Sequence, residues 1–285
     1  MENYDTPAVS IILPVFNEES SLSVVIESIR KSMANFNENY EIIAADDGST
    51  DKSKEIATQM GVRLLPGDIN KGAGNARKRG IKAAKGDFVV FLDADATYQT
   101  DDIPKMLELR SENDQINGAR DRDHGSLLWL RVSVKFCLRI LASLLACQYI
   151  PDLNTGLKVM RRKVLMNYVD LIPDGFSCVT TMTLSFLVRG HRVKYVKTTY
   201  NPRIGKSKFH PIKDTLNLIK AIFRTVTILR PERVALFLGM IGYITYALIS
   251  KEGINKAIHI SYSFSLYFVL SLTTGHFFNK QVEQG

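Results

Sequence analysis

Four short apolar runs set what this chain can fold into. Each ends in a polar loop, and a helix-patterned segment separates each from the next. Residues 8–15 (AVSIILPV) are apolar and rich in β-branched side chains, and Asn17-Glu18-Glu19 closes the run. Residues 21–31 follow with Leu22, Val25, Ile26 and Ile29 at helical spacing. Residues 40–45 form a second run, closed by Asp46-Asp47-Gly48-Ser49, with Thr50 or Asp51 as the expected N-cap of a helix ending near Met60. Residues 62–65 form a third strand, and residues 72–84 a helix rich in Ala, Lys and Arg. The fourth run, residues 88–92 (FVVFL), leads into Asp93-Ala94-Asp95. Strands that alternate with single helices imply an α/β fold on a parallel, doubly wound sheet. Ligands of such sheets bind beyond the carboxyl ends of the strands.

Those ends are where the acidic residues collect. Three loops carrying carboxylates at equivalent positions repel one another unless they hold a cation or accept hydrogen bonds. Two common phosphate-binding patterns are absent: there is no G-x-x-x-x-G-K-[ST], and no glycine follows the first strand. A nucleotide at this edge would have to be held by carboxylates and a metal. Three cysteines without C-x-x-C spacing exclude a disulfide scaffold and a four-cysteine zinc site, and suit a reducing compartment. The polar, acidic first seven residues carry no cleavable secretion signal.

In order, PVFNEE, ADDGSTD, NKGAGNARKRG and FLDADATY resemble the family 2 glycosyltransferases of GT-A fold, a doubly wound mixed α/β sheet. Downstream, residues 152–157 (DLNTGL) and 203–208 (RIGKSK) resemble the polyprenyl-phosphate branch, of the dolichyl-phosphate mannose synthase type. The resemblance covers roughly residues 8–225. It implies a nucleoside pocket lined by Pro14, Phe16 and Glu18, with Asp46 or Asp47 reading the base or ribose. Gly72 and Arg77 complete the implied donor set. Asp93 and Asp95 would hold Mg²⁺ or Mn²⁺ against the donor diphosphate, since hard cations take carboxylate and phosphate oxygens. Asp95, Arg203 and Lys208 are the implied catalytic residues. Arg120, Arg122, Arg131 and Ser207 are the further candidates for the acceptor phosphate. For Arg120 and Arg122, interleaved with Asp121 and Asp123, surface pairing competes with that role.

Three departures from the family pattern carry information. The mannose synthase type commonly has Gln two residues after the second Asp; here Thr97 stands there. The only Trp, Trp129, has none of the Q-x-x-R-W context of processive polysaccharide synthases. Residues 176–182 (FSCVTTM) lack the acidic base that many inverting members place near the acceptor. A phosphate monoester needs no such base, because at neutral pH it is largely a dianion. It needs orientation rather than deprotonation.

The second half reads as membrane-associated. Residues 234–250 and 257–274 are apolar and are expected to form a transmembrane hairpin. Arg230 and Arg233 before it place its ends in the cytosol. Arg131, Lys135 and Arg139 recur every four residues within an apolar stretch over about 127–149, and Lys213, Lys220 and Arg224, spaced by seven and four, likewise share one helix stripe over 211–231. Both read as interfacial helices. Packing on the sheet with snorkelling cations is the alternative.

The expected organisation is a catalytic domain over 1–210 that includes the first interfacial helix, a second interfacial helix over 211–231, and a membrane region over 232–285. The expected location is the cell membrane, multi-pass, with the catalytic domain cytosolic. The expected activity is metal-dependent, inverting transfer of one hexose from a nucleotide diphosphate sugar to a polyprenyl phosphate. The rivals are transfer to a lipid or sugar hydroxyl, and a catalytically silent membrane scaffold. Membrane lipids are expected partners, a homo-oligomer is left open, and nucleic acid is not expected. Charge agrees with the division. Residues 1–118 hold 13 Lys+Arg and 20 Asp+Glu (13 − 20 = −7), and residues 119–285 hold 24 and 9 (24 − 9 = +15), which together give the overall +8.

Overall fold

The computed structural model describes residues 6–120, 128–201 and 211–249. The elements run β1 (Val9–Val15), α1 (Leu22–Ser32), β2 (Tyr40–Asp46), α2 (Ser53–Gln59), β3 (Arg63–Leu65), α3 (Ala73–Ala83) and β4 (Phe88–Phe91). Then follow α4 (Asp102–Glu108), β5 (Gln115–Arg120), α5 (Leu128–Ala146), β6 (Lys158–Arg161), α6 (Arg162–Met166), α7 (Cys178–Val188), β7 (Val193–Thr198), α8 (Pro211–Leu229) and α9 (Pro231–Ile249). The seven strands form one sheet in the order β3-β2-β1-β4-β6-β5-β7.

The first four strands are parallel, as the alternating pattern requires, and β1 lies between β2 and β4. The chain therefore winds outward in both directions from β1, which puts a topological switch point there. The sheet is mixed because β6 runs antiparallel to both β4 and β5. β1 is apolar apart from Ser10, because both its faces are covered, and the buried Ser10 hydroxyl donates to Glu41 Oε1 at 2.7 Å. Ile12 packs with α3, α5, α7 and α8, while Ile11 and Leu13 pack with α1 and α4. Gly80 lets α3 lie directly on β1, since a Cβ there would overlap the Ile12 side chain. The helix after β2 starts at Ser53, and Lys52, not Thr50 or Asp51, is its N-cap. Asp51 instead accepts the Ser53 N–H at 2.9 Å and the Glu19 N–H at 3.0 Å, pinning the two site loops together.

The expected transmembrane hairpin is not found: among the described residues no helix is long and apolar enough to cross a membrane. α9 spends its first turn on Pro231, Glu232 and Arg233. Within the described residues its apolar remainder is about 16 residues, or roughly 24 Å, against a hydrocarbon core of about 30 Å. Arg233, read in the sequence as a topology signal, instead caps α5. Its Nη1 donates to the Ala146 carbonyl at 2.7 Å, where the dipole of that helix favours a cation. The second expected span, 257–274, lies outside the described residues.

α8 buries Leu218, Ala221, Ile222, Val226 and Leu229 against α7, and α5 buries Leu138, Ala142 and Leu145 in the same core. Their outer faces are apolar as well as basic. Phe136 and Ile140 on α5, and Ile212 and Leu216 on α8, are exposed. So are Leu236, Leu238, Tyr246 and Leu248 on α9.

Candidate active site

The carboxyl ends of β1, β2 and β4 bring the three acidic loops to one edge. Val15 pairs with Asp46 at the end of β1, and the Asp47 N–H donates to the Val15 carbonyl at 2.8 Å. Pro14 and Phe16 are partly exposed there, while Glu18 is buried. The loop after β1 is held to the loop after β2. Asn17 N–H donates to Ser49 Oγ at 3.0 Å, Glu18 N–H to Ser53 Oγ at 2.9 Å, and Thr50 N–H to Asn17 Oδ1 at 2.8 Å.

Asp46 and Asp47 are both buried, and the backbone claims their oxygens. Asp46 accepts the N–H groups of Gly48, Ser49 and Gly67. Asp47 Oδ2 accepts those of Lys71 and Gly72, at 3.1 and 2.6 Å, and Oδ1 accepts Asn75 Nδ2 at 3.3 Å. The pair thus shapes residues 66–75 into a wall of the site. The glycines of NKGAGNARKRG serve the same wall: Gly74 N–H donates to the Asp174 carbonyl at 2.6 Å, and a Cβ at Gly72 or Gly74 would collide with the carbonyls of residues 173–174. Gly72 also has φ +114°, a conformation open to glycine.

Asp93 and Asp95 stand just past β4. Arg77, almost wholly buried on α3, donates from Nη2 to Asp93 Oδ1 at 2.5 Å and from Nη1 toward Cys178 Sγ at 3.4 Å. Asp95 Oδ1 accepts both the Thr97 N–H, at 3.2 Å, and the Thr97 hydroxyl, at 2.6 Å. Ala96 between them has φ +59°, outside the usual range for an alanine. That curl is what brings Thr97 back onto Asp95. The hard oxygens of Asp93 and Asp95 fit a divalent cation in donor type. They fit it poorly in number: among the described residues no three His, Cys, Asp or Glu side chains converge. A cation held there would need oxygens from a ligand.

Several neighbours of this pair carry no sequence signal of their own. Tyr98 lies buried beneath the loop, and its hydroxyl accepts the Gly156 N–H at 2.6 Å. Burial pushes the Tyr98 phenol well above its ordinary range, so it stays neutral. Gly156 packs directly on the Asp93 carboxylate, where a Cβ would overlap Oδ2. Tyr200 meets Tyr98 edge-on at 5.2 Å, and the Arg120 guanidinium lies 5.3 Å from the Tyr200 ring centroid.

Of the acceptor candidates, Arg120 is engaged by protein. It grips Asp152 with Nε at 2.7 Å and Nη2 at 2.9 Å. Burial would raise the Asp152 carboxyl, but the hydrogen bonds and charge of Arg120 outweigh it and hold it below the usual carboxylate range. Arg131 lies in α5 with its side chain outside the described residues, and Arg122, Arg203, Ser207 and Lys208 lie outside them altogether. In the first turn of α7, the Thr180 hydroxyl donates to Asn154 Oδ1 at 2.6 Å.

The family model described as Glycosyl transferase family 2 matches residues 10–169. The chain belongs to glycosyl transferase family 2. Its mixed α/β sheet has the GT-A arrangement. Among its relatives is the undecaprenyl-phosphate 4-deoxy-4-formamido-L-arabinose transferase of Aeromonas hydrophila, 29% identical over 58% of this chain and 52% of that one. Glycosyltransferase AglJ of Haloferax volcanii is 28% identical over 90% of this chain and 82% of that one. The chain thus spans about half the length of the Aeromonas relative and most of AglJ.

A solved structure of glucosyl-3-phosphoglycerate synthase from Mycobacterium tuberculosis superposes with a TM-score of 0.58 at 19% identity, covering 77% of this chain and 80% of that one. That protein was crystallised with Mn²⁺, UDP and glucosyl-3-phosphoglycerate. At that identity the likeness concerns the fold alone.

Proposed function

We propose that this glycosyltransferase moves a single hexose, with inversion, from a nucleotide diphosphate sugar to a polyprenyl phosphate at a membrane face. The observation that carries the reading is the state of Asp152 and Thr180. The carboxylate beside the first turn of α7 is closed by a bidentate arginine, and the turn presents a threonine where a base would be needed. An acceptor that is already ionised fits such a site, and a phosphate monoester is one. The naming of the Aeromonas relative as an undecaprenyl-phosphate sugar transferase supports the same acceptor class.

The carboxylate edge would hold the donor. Mg²⁺ or Mn²⁺, when bound beside Asp93 and Asp95, would offset charge on the departing nucleoside diphosphate. Pro14, Phe16 and Glu18 would line the nucleoside side, with residues 66–75 closing it. Arg203 and Lys208 would supply the cations, and Ser207 a hydroxyl donor, to orient the acceptor phosphate, now that Arg120 is committed to Asp152.

The exposed apolar residues of α5, α8 and α9 lie among exposed Lys135, Lys213 and Lys220. Apolar side chains flanked by cations suit the headgroup plane of an anionic membrane. Such docking would present the site to a lipid-borne phosphate without a spanning helix.

The test is to incubate the full chain with a panel of radiolabelled nucleotide sugars, Mg²⁺ or Mn²⁺, and either polyprenyl phosphate or free polyprenol. Labelled lipid from the phosphate alone is expected. Equal labelling of both would move the acceptor to a hydroxyl, and no labelled lipid with any donor would refute the reading.

A further inference from the structure

We infer that Lys158 is a positioning residue: it fastens the start of α7 to β5 and β6, and so seats the acceptor side of the site. The inference rests on the acceptor reading above and adds what holds that side in place.

Three observations carry it. The first is a buried network. Lys158, on β6 with no solvent exposure, donates to Thr183 Oγ1 on α7 at 2.6 Å and to Asn117 Oδ1 on β5 at 3.1 Å. Gln115 Nε2 donates to the same two oxygens, at 3.1 and 2.7 Å. The Thr183 hydroxyl in turn donates to the Val179 carbonyl at 3.2 Å, which leaves its lone pairs to the other two. One hydroxyl thereby holds α7 to two neighbouring strands.

The second is location. Thr183 lies three residues along α7 from Thr180, and Lys158 four residues after Asn154. Thr180 and Asn154 are themselves joined at 2.6 Å. The two links close a frame, with residues 154–158 on one side and the start of α7 on the other. Within residues 154–158, the Gly156 N–H donates to Tyr98 beneath the carboxylate loop, and Lys158 pairs with Phe91, two residues before Asp93. Asp152, held by Arg120, leads into the same segment. A shift of α7 on the sheet would therefore move Thr180 and Asn154 relative to the donor edge.

The third is cost. A buried ammonium group facing neutral oxygens is unfavourable, and burial pushes the Lys158 pKa down to about 7. Gln115 Oε1 and Asn117 Nδ2 also stay buried with no hydrogen-bond partner among the described residues. An apolar side chain of similar length would fill this place at lower cost. Stability does not account for the lysine. Its several donors at one point, reaching β5 and α7 together, do.

The test is steady-state transfer to polyprenyl phosphate by the full chain, using the radiolabelled nucleotide sugar that the wild type accepts, beside thermal unfolding at pH 7. Lys158→Met should melt at a higher temperature than wild type. Its kcat should nevertheless fall at least about tenfold, because catalytic positioning is sensitive to small displacements. The KM for the nucleotide sugar should stay within about twofold, since the donor edge is not what moves. Thr183→Val keeps the size and removes the shared oxygen, and should lower kcat in the same way. The double variant should lose no more than the larger single loss, because both substitutions break one link.

A wild-type kcat in folded Lys158→Met or Thr183→Val would overturn the inference and leave the acceptor reading intact. So would additive losses in the double variant, a raised donor KM at unchanged kcat, or a Lys158→Met chain that loses activity and stability together. Where Lys158→Met does not fold, Thr183→Val decides. Failure of the wild type to label polyprenyl phosphate with any nucleotide sugar would overturn the acceptor reading itself, before any variant is made.

Discussion

Lys158→Met should stabilise the fold at neutral pH and lose that advantage as pH rises. Lys158 lies on β6 with no solvent exposure, and its ammonium group meets neutral oxygens: Thr183 Oγ1 at 2.6 Å and Asn117 Oδ1 at 3.1 Å. Burial pushes its pKa down from 10.5 to about 7, a displacement that the more distant Asp152 opposes only in part. The sign follows from proton counting. Between about pH 7 and 10.5 the unfolded chain holds the proton more tightly than the folded one, so folding must release it, and stability rises with pH across that window. Relative to a residue that does not titrate, Lys158 destabilises the fold by about 4 kcal/mol at pH 7 and about 2 kcal/mol at pH 9.

Methionine removes this cost and also removes two hydrogen bonds, each worth about 1 kcal/mol. The acceptors are not orphaned, since Asn117 Oδ1 still accepts Gln115 Nε2 and the Thr183 hydroxyl still donates to the Val179 carbonyl. The balance is a gain of about 2 kcal/mol at pH 7 that falls to about zero near pH 9. Urea unfolding of both chains at half-unit intervals from pH 6 to 9.5 measures it. A variant less stable than wild type at pH 7, or a difference that does not change with pH, would refute the reasoning.

Other perturbations address the site and its surroundings. Asp95→Ala should abolish transfer while the melting temperature stays within about 4 °C, because the Thr97 hydroxyl and N–H that it releases belong to the turn after β4 rather than to a strand or helix. Gly156→Ala should lower activity at least about tenfold by pushing the Asp93 carboxylate off its seat, a displacement of the kind to which catalytic positioning is sensitive. Arg120→Leu strands a buried carboxylate and should cost about 3–5 kcal/mol; adding Asp152→Asn should recover much of it, as a double-mutant cycle by thermal unfolding would show. With Arg120 present, the Asp152 contribution is complete above the ordinary carboxylate range and is lost as pH falls through its depressed folded-state value. Leu236→Glu combined with Leu248→Glu should weaken co-flotation with anionic vesicles while leaving the thermal midpoint unchanged, because both side chains are exposed.

The sequence by itself determined the parallel half of the sheet and the edge at which the acidic loops meet. β1, β2 and β4 are legible because strands covered on both faces must be mostly apolar, and a run such as IILPV has few other places to go. The acidic loops are legible because strand ends in a doubly wound sheet share one edge. β5 (QINGAR), β6 (KVMR) and β7 (VKYVKT) escaped the reading. Their polar residues are paired across the sheet or with α7, as Lys158 is with Asn117 and Thr183, and no local pattern announces a partner that far along the chain.

Only the tertiary structure decided what the charged residues do. Asp47 serves residues 71–75, Arg77 is spent on Asp93, Arg120 on Asp152, and Arg233 on the end of α5. In the sequence each is a charge open to a ligand or a membrane. In the fold each is claimed by whichever opposite charge or backbone group burial has brought within hydrogen-bonding distance, because leaving either one unpaired there costs more than any local preference supplies.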